Sequence, residues 1–274
     1  MKIFISSDME GTAGVVDWDQ VLIGGPHYEY YADLLTREIN AAIEGSLRAG
    51  ATEFLVNDSH SKMANLRPDA LAGSARYLSG RFKPMYMMQG LDETFDAVFS
   101  GRVHGSMSSK ASALSHTYFP TAFAEVTIND VVAGEAGINA LVAQAYRVPV
   151  VLVTGDAITA MEIEPFCPGV RKAIVKESVT RFSANSMHPE QARELIGEQA
   201  FLATKSIASA MQVAIELPAT LKIQFRTSDY VDLAIRVNGV DRTGDLSAEI
   251  IESDPLELYR TFITVVLLCR GLTE

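Results

Sequence analysis

Apolar residues recur along this chain in two rhythms. Short runs of β-branched and aromatic residues alternate with longer stretches in which leucine, isoleucine and alanine return every three or four positions. Ile3-Phe4-Ile5 reads as a first buried strand, and Gly11 and Gly14 then let the backbone turn sharply. From Tyr30 to Leu47 the residues Leu34, Leu35, Ile39, Ala42, Ile43 and Leu47 hold one helical face, with Gly50 as its C-terminal stop. Glu53 to Val56 reads as a second strand. Strand, helix and strand in that order predict a βαβ unit, and so a parallel sheet.

The same rhythms continue downstream. Pro68 is expected to open a second helix ahead of Gly73, while Lys83 to Met88 is ambiguous and its methionines suit core filling. Asp96 to Gly101 reads as a strand ending near His104. The Ser-, Gly- and Ala-rich stretch from Gly105 to Ser115 has no strong periodicity and reads as a mobile loop close to a site, leading to His116. Phe123 to Ile128 alternates as a strand, Asn129-Asp130 turns it, and a helix runs from Gly134 through Leu141 to Tyr146. Pro149 to Val153, uncharged and β-branched, has the strongest buried-strand pattern, and Asp156 reads as the cap of a helix starting at Ala157. Beyond Pro168 the pattern predicts a strand at Lys172–Lys176, a long helix at Pro189–Met211, a strand at Leu221–Arg226 and a helix at Pro255–Cys269. The expected fold class is α/β, a mostly parallel sheet flanked by helices. Residues 1–167 would form the main domain and 168–274 a smaller α+β portion that packs on it and aids oligomerisation.

Composition narrows the function classes. With 274 residues, 48% of them hydrophobic, the chain can bury a large core. A formal net charge of -11 argues against nucleic acid or an anionic membrane surface as partner, and does not discourage divalent cations. No stretch approaches the ~18 consecutive apolar residues of a spanning helix. Met1-Lys2-Ile3 leads straight into a strand without a signal-peptide pattern, so a cytoplasmic location is expected. Cys167 and Cys269 are far apart and read as reduced core thiols.

The chemistry-bearing residues gather at the expected strand ends. Asp8 and Glu10 follow the first strand, at the sheet edge where open α/β folds bind ligands. His60 follows the second strand and His104 the next, with Glu135 opening a helix. Carboxylates and imidazoles together are a usual ligand set for zinc and similar ions. Asp8, Glu10, His60, His104 and Glu135 are enough for two ions about 3.5–4 Å apart with a shared carboxylate. Each residue also has a plainer reading. Asp8 can cap a turn with Glu10 solvated, a histidine near a strand end can be hydrogen-bonded structure, and Glu135 can complement a helix dipole. His27 and His188, beside Pro26 and Pro189, read as loop and helix-cap residues. No zincin helix, GxSxG elbow, P-loop or GxGxxG turn competes.

Five motifs then stand in register with a known family. Asp8-Met-Glu-Gly, Val56-Asn-Asp-Ser-His-Ser-Lys-Met63, His104, Leu114-Ser-His116 and Ile128-Asn-Asp with Gly134-Glu-Ala-Gly-Ile-Asn139 resemble the zinc-dependent D-aminopeptidase family, peptidase family M55. The resemblance runs over most of the chain and is densest before Asp156. It implies a metallo-aminopeptidase releasing N-terminal D-amino acids from short peptides. It also implies two Zn2+ per chain on Asp8, Glu10, His60, His104 and Glu135, a catalytic His116, and a homo-oligomer, in the family a decamer of two stacked five-membered rings. The His104–His116 segment is one residue longer than the family's usual pattern, which leaves substrate preference open. The same ligand set also serves a metal-dependent amidase or phosphoesterase on another small substrate. A metal-stabilised binding protein is a third reading, against which His116 counts.

Overall fold

In the computed structural model, which describes residues 1–272, twelve strands and six α-helices are found among the described residues. The first half contains β1 (Lys2–Ser7), α1 (Tyr28–Arg48), β2 (Glu53–Asp58), β3 (Arg76–Leu78), β4 (Ala97–Val103), β5 (Phe123–Ile128) and β6 (Val131–Val132). Next come α2 (Glu135–Tyr146), β7 (Val150–Asp156), α3 (Ala157–Glu162), β8 (Arg171–Thr180), β9 (Ser183–Ser186) and α4 (Pro189–Lys205). The chain closes with β10 (Ala219–Phe225), α5 (Ser228–Ala234), β11 (Val240–Gly244), β12 (Ser247–Glu252) and α6 (Pro255–Cys269).

Seven strands form the first sheet in the order β3-β2-β1-β4-β7-β8-β9, parallel throughout except for the final β8–β9 hairpin. The α/β fold with a mostly parallel sheet and flanking helices is therefore as expected. Alternation along each strand feeds two cores. Ile3, Ile5 and Phe99 face α1 and α4, where they meet Leu35, Ile39, Ile196 and Ala200. Phe4, Val98 and Val153 face the other way, into a core shared with α2, α6 and a second sheet. That second sheet is antiparallel, with the order β11-β12-β10-β5-β6.

The division expected at 167/168 is not where the sheets part. Strand β8 pairs parallel with β7 and extends the first sheet, and α4 packs on α1. The earlier β5 and β6 join β10 in the second sheet. The two sheets thus interleave along the chain, because a strand's alternation reports its own burial and not its pairing partner. Two helices also differ from expectation. Pro68–Ala70 makes only a 3-10 turn, since the Asp58 carboxylate captures the Asn65 and Leu66 N–H groups just before it. The long C-terminal-half helix stops at Lys205, with Ile207–Ser209 forming a separate 3-10 turn. Cys167 and Cys269 are buried free thiols.

The strand order also selects the site. The chain moves outward from β1 to β2 and β3, then returns to place β4 on the other side of β1. This reversal opens a crevice beyond the C-terminal ends of β1, β2 and β4.

Candidate functional site

Three strand ends and one helix start meet at that crevice. Asp8 and Glu10 follow β1, His60 follows β2, His104 follows β4, and Glu135 is the first residue of α2. All five are buried. His60 Nδ1 lies 3.3 Å from Asp8 Oδ1 and 2.9 Å from Glu10 Oε2. His104 Nε2 lies 3.4 Å from Asp8 Oδ2 and 3.9 Å from Glu135 Oε1. His116 joins them, its Nε2 3.7 Å from Glu135 Oε1 and 4.0 Å from Glu10 Oε1, with its ring stacked on that of His104 at 4.1 Å. His27 and His188 stand apart, and His188 accepts the Glu190 N–H as the cap of α4.

Each of the three site histidines is pinned from outside by a backbone carbonyl. His60 Nε2 bonds to Val21 O, His104 Nδ1 to Gly105 O and His116 Nδ1 to Leu114 O. A carbonyl can only accept, so the outer nitrogen carries the hydrogen and the inner one turns its lone pair towards the carboxylates. At His60 and His104, where carboxylate oxygens come within 3.4 Å, a lone pair facing a carboxylate needs a positive charge between them, either a proton or a metal ion. The electrostatics agree. Burial disfavours a charged His60, but Glu10 and Asp8 outweigh it and hold the ring well above its ordinary pKa. Burial is likewise outweighed at His104, chiefly by Glu135 and Asp8, pushing it up to about 8. Burial and the Glu10 charge push Asp8 up to about 8, whereas at Glu10 the His60 charge overcomes burial and holds the carboxyl well below its usual range. Asp8 Oδ2 and Glu10 Oε2 are buried without a hydrogen-bond partner. Three carboxylates packed together with orphaned oxygens fit divalent cations.

Two sets of candidate ligands share one residue. Asp8, Glu10 and His60 can hold one ion and Asp8, His104 and Glu135 another, while Glu10, His104 and His116 make a third grouping. Sequence reasoning named all of these residues. His116 differs from them in its charge state: burial and the neighbouring His104 push it down to about 3, so Nε2 is an unprotonated base at neutral pH.

Sequence reasoning missed the groups that hold the loops. Lys176, fully buried on β8, donates from Nζ to the carbonyl of Glu10, and to those of Val15 at 2.8 Å and Thr12 at 3.3 Å. Glu38 of α1 accepts the Ala13 N–H at 3.0 Å, and its other oxygen lies 3.7 Å from Arg102 Nε. A lysine directly after the apolar Ala173-Ile174-Val175 run was the available signal. The His60 loop is tied by the Asp58 carboxylate, which accepts from Asn65, Leu66 and Tyr77, and by Lys83, which donates to Asn57 Oδ1 and Asp58 O. The stretch expected to be mobile is hydrogen-bonded at several points: Ser106 to Glu162, Ser112 to Asp156 and Ala113 to Ser178. Asp156 also caps α3, as expected, by accepting the Thr159 N–H.

Gly11 is needed for close approach. Its N–H donates to Arg102 O at 2.6 Å, and a Cβ there would run into the Arg102 carbonyl carbon and Val103 O. Overpacking of this kind costs about 1–3 kcal/mol. Gly11→Ala should therefore lower the midpoint of urea unfolding by that amount of stability, and an unchanged midpoint would contradict the clash.

Comparison with known proteins shows the family. A family model described as Peptidase M55, D-aminopeptidase, matches residues 1–264. The chain is 34% identical over 267 residues to the D-aminopeptidase of Bacillus subtilis (strain 168), covering 97% of this chain and 96% of that one. It also superposes on a solved structure titled Zn-dependent D-aminopeptidase DppA from Bacillus subtilis, a self-compartmentalizing protease. That match has a TM-score of 0.94 at 32% identity and covers 100% of both chains. With its whole length aligned and acidic and histidine residues converging at the sheet's crevice, this chain belongs to the M55 family of D-aminopeptidases.

Proposed function

We propose that this chain is a zinc-dependent aminopeptidase that hydrolyses the N-terminal residue, a D-amino acid, from short peptides. The observation that carries this reading is the pair of three-residue sets that share Asp8. Asp8, Glu10 and His60 would hold one zinc ion, and Asp8, His104 and Glu135 the second. When bound, the two ions lower the pKa of water towards neutrality and polarise the scissile carbonyl.

The chain's own residues supply the remaining chemistry. The Val21 and Gly105 carbonyls fix the ring orientations of His60 and His104, and burial of the set keeps bulk water from screening its charges. His116 Nε2 takes a proton from the attacking water and returns it to the leaving amine, so a neutral imidazole acts first as base and then as acid. Its Nδ1–H stays on the Leu114 carbonyl, which steadies the imidazolium formed between the two transfers. Glu10 meets His60 through Oε2 and presents its other oxygen beside His116, where the substrate's free amine can be received. Anchoring that amine confines cleavage to the first peptide bond.

A panel assay tests the reading. Zinc-loaded protein is offered D- and L-aminoacyl amides, dipeptides and phosphoesters. D-aminoacyl substrates should turn over, lose turnover with a chelator and regain it with zinc. Turnover confined to phosphoesters would overturn the reading in favour of a phosphoesterase.

Assembly follows from the same family. The solved relative is described as self-compartmentalizing, and we extend an assembly of that kind, a decamer, to this chain. Large apolar side chains such as Tyr30, Phe82, Met161 and Ile251 are exposed and available for subunit contacts. No helix among the described residues is long and apolar enough to cross a membrane, and the reading places the enzyme in the cytoplasm. Light scattering at micromolar concentration should give a mass matching ten copies of the 29.8 kDa chain. A monomer would refute the assembly.

A further inference from the structure

Arg181 sits against the loop that carries His116, and none of the proposed chemistry uses it. Arg181 opens the two-residue turn between β8 and β9. The turn is fixed to the loop that carries His116 at two points. The Leu114 N–H donates to Arg181 O at 2.8 Å, and Arg181 Nε donates to Ser115 O at 3.1 Å. Its guanidinium also lies over the Trp18 ring, 6.0 Å from the centroid, and Trp18 in turn packs edge-on against the His116 ring at 5.6 Å. The side chain is thus half-buried and held in orientation, one residue and one ring away from His116.

The outer edge of that guanidinium has no anionic partner. Among the described residues no carboxylate pairs with Arg181. Partial burial and, after it, the nearby Arg226 guanidinium hold its pKa below the ordinary arginine value. Arg226 is likewise spent on neutral partners, the Pro120 carbonyl and the Met107 sulfur. In a chain of net charge -11, a guanidinium left without an acid against the loop of a reactive histidine, with a second guanidinium near it, is a local reversal of sign. Such a position favours an anion brought by a ligand. Arginine is suited to a carboxylate because its planar fork can donate two parallel hydrogen bonds.

We infer that Arg181 receives the C-terminal carboxylate of the substrate, so that the enzyme selects free dipeptides and tripeptides over amides and longer chains. This inference rests on the aminopeptidase reading and names its substrate class. A peptide whose scissile carbonyl lies by His116 carries its terminal carboxylate one or two residues further on, at about 3.8 Å of Cα spacing per residue. The contacts through Trp18, at 6.0 and 5.6 Å, keep the guanidinium within about two residue spacings and a hydrogen bond of the His116 ring. Amine capture at Glu10 and carboxylate capture at Arg181 together measure the length of the peptide from both ends. Trp18, packed between Arg181 and His116, would then line the pocket for the residue after the scissile bond.

The test compares D-alanylglycine with D-alanylglycinamide, in the zinc-loaded protein and in its Arg181→Met and Arg181→Lys forms. Charge-assisted pairing predicts that the wild-type protein favours the acid over the amide by about 10- to 100-fold in kcat/KM. Arg181→Met should collapse that ratio towards one, mainly by raising KM for the acid, and Arg181→Lys should restore part of it. A readout without turnover is calorimetric binding of the dipeptide to His116→Ala protein, which should weaken by a similar factor when Arg181→Met is added. Loss of both substrates in equal proportion, or an acid preference that survives Arg181→Met, overturns the inference. Hydrolysis of both substrates with no wild-type preference overturns it while the aminopeptidase reading stands. If the wild-type protein hydrolyses neither substrate, both fail.

Discussion

Asp8→Ala is expected to leave a protein with fewer than two zinc ions per chain and no measurable turnover. Asp8 is the one residue common to both ligand sets, and its two oxygens face different histidines: Oδ1 lies 3.3 Å from His60 Nδ1, Oδ2 3.4 Å from His104 Nε2. Glu10 groups with His104 and His116 as well as with His60, but only Asp8 belongs to both sets proposed to hold an ion. Glu10 lies against His60 and Glu135 against His104. Removing Asp8 would therefore take a ligand from each proposed ion, together with a negative charge that would hold two dications close together. Elemental analysis and steady-state kinetics on the same preparation measure the effect. An active Asp8→Ala protein with two ions per chain would place the shared ligand elsewhere.

His116→Ala should keep both ions and the assembly while kcat falls by about 10²- to 10⁴-fold, the usual contribution of general acid–base catalysis. The structure sharpens the alternatives. His116 lies close enough to Glu10 and His104 to make a third candidate ligand grouping. Both of those residues, however, already belong to the two sets that share Asp8. The neutral ring, its pKa pushed down to about 3 by burial and by His104, differs from the unperturbed imidazole that sequence alone suggests. A neutral ring must accept a proton before it can donate one, and the water-to-amine transfer supplies that order. Loss of zinc in step with activity would show His116 to be a ligand. Full activity would remove it from the mechanism.

How much of this could be read in advance differs from element to element. The first strand, the helix from Tyr28 to Arg48 and the strands at Glu53–Asp58, Ala97–Val103 and Val150–Asp156 follow their hydrophobic rhythm closely. So do the hairpin turn at Asn129-Asp130, both at positive φ, and the capping role of Asp156. The site residues were legible because acids and histidines fall just beyond apolar strands, and a parallel sheet sends all those ends to one edge. The helix expected at Pro68 failed for a reason that lies outside its own window: a carboxylate seven and eight residues upstream takes the N–H groups before it.

By itself, then, the sequence determined most of the element types, the parallel character of the main sheet, and which residues stand at its C-terminal edge. These depend on periodicity and strand-end position, which are local properties of the chain. The tertiary structure decided everything that depends on which surfaces meet. It sent Arg171–Thr180 into the first sheet and Phe123–Ile128 into the second, although both read only as strands. It turned the inner nitrogens of His60, His104 and His116 towards the carboxylates, by offering backbone carbonyls to the outer ones. It also buried Lys176 under the Glu10 loop and brought Arg181 against Ser115, across sequence separations of 166 and 66 residues. Hydrophobic burial is non-directional and can be read from one segment, whereas a hydrogen bond or an ion pair exists only when packing has brought both partners together.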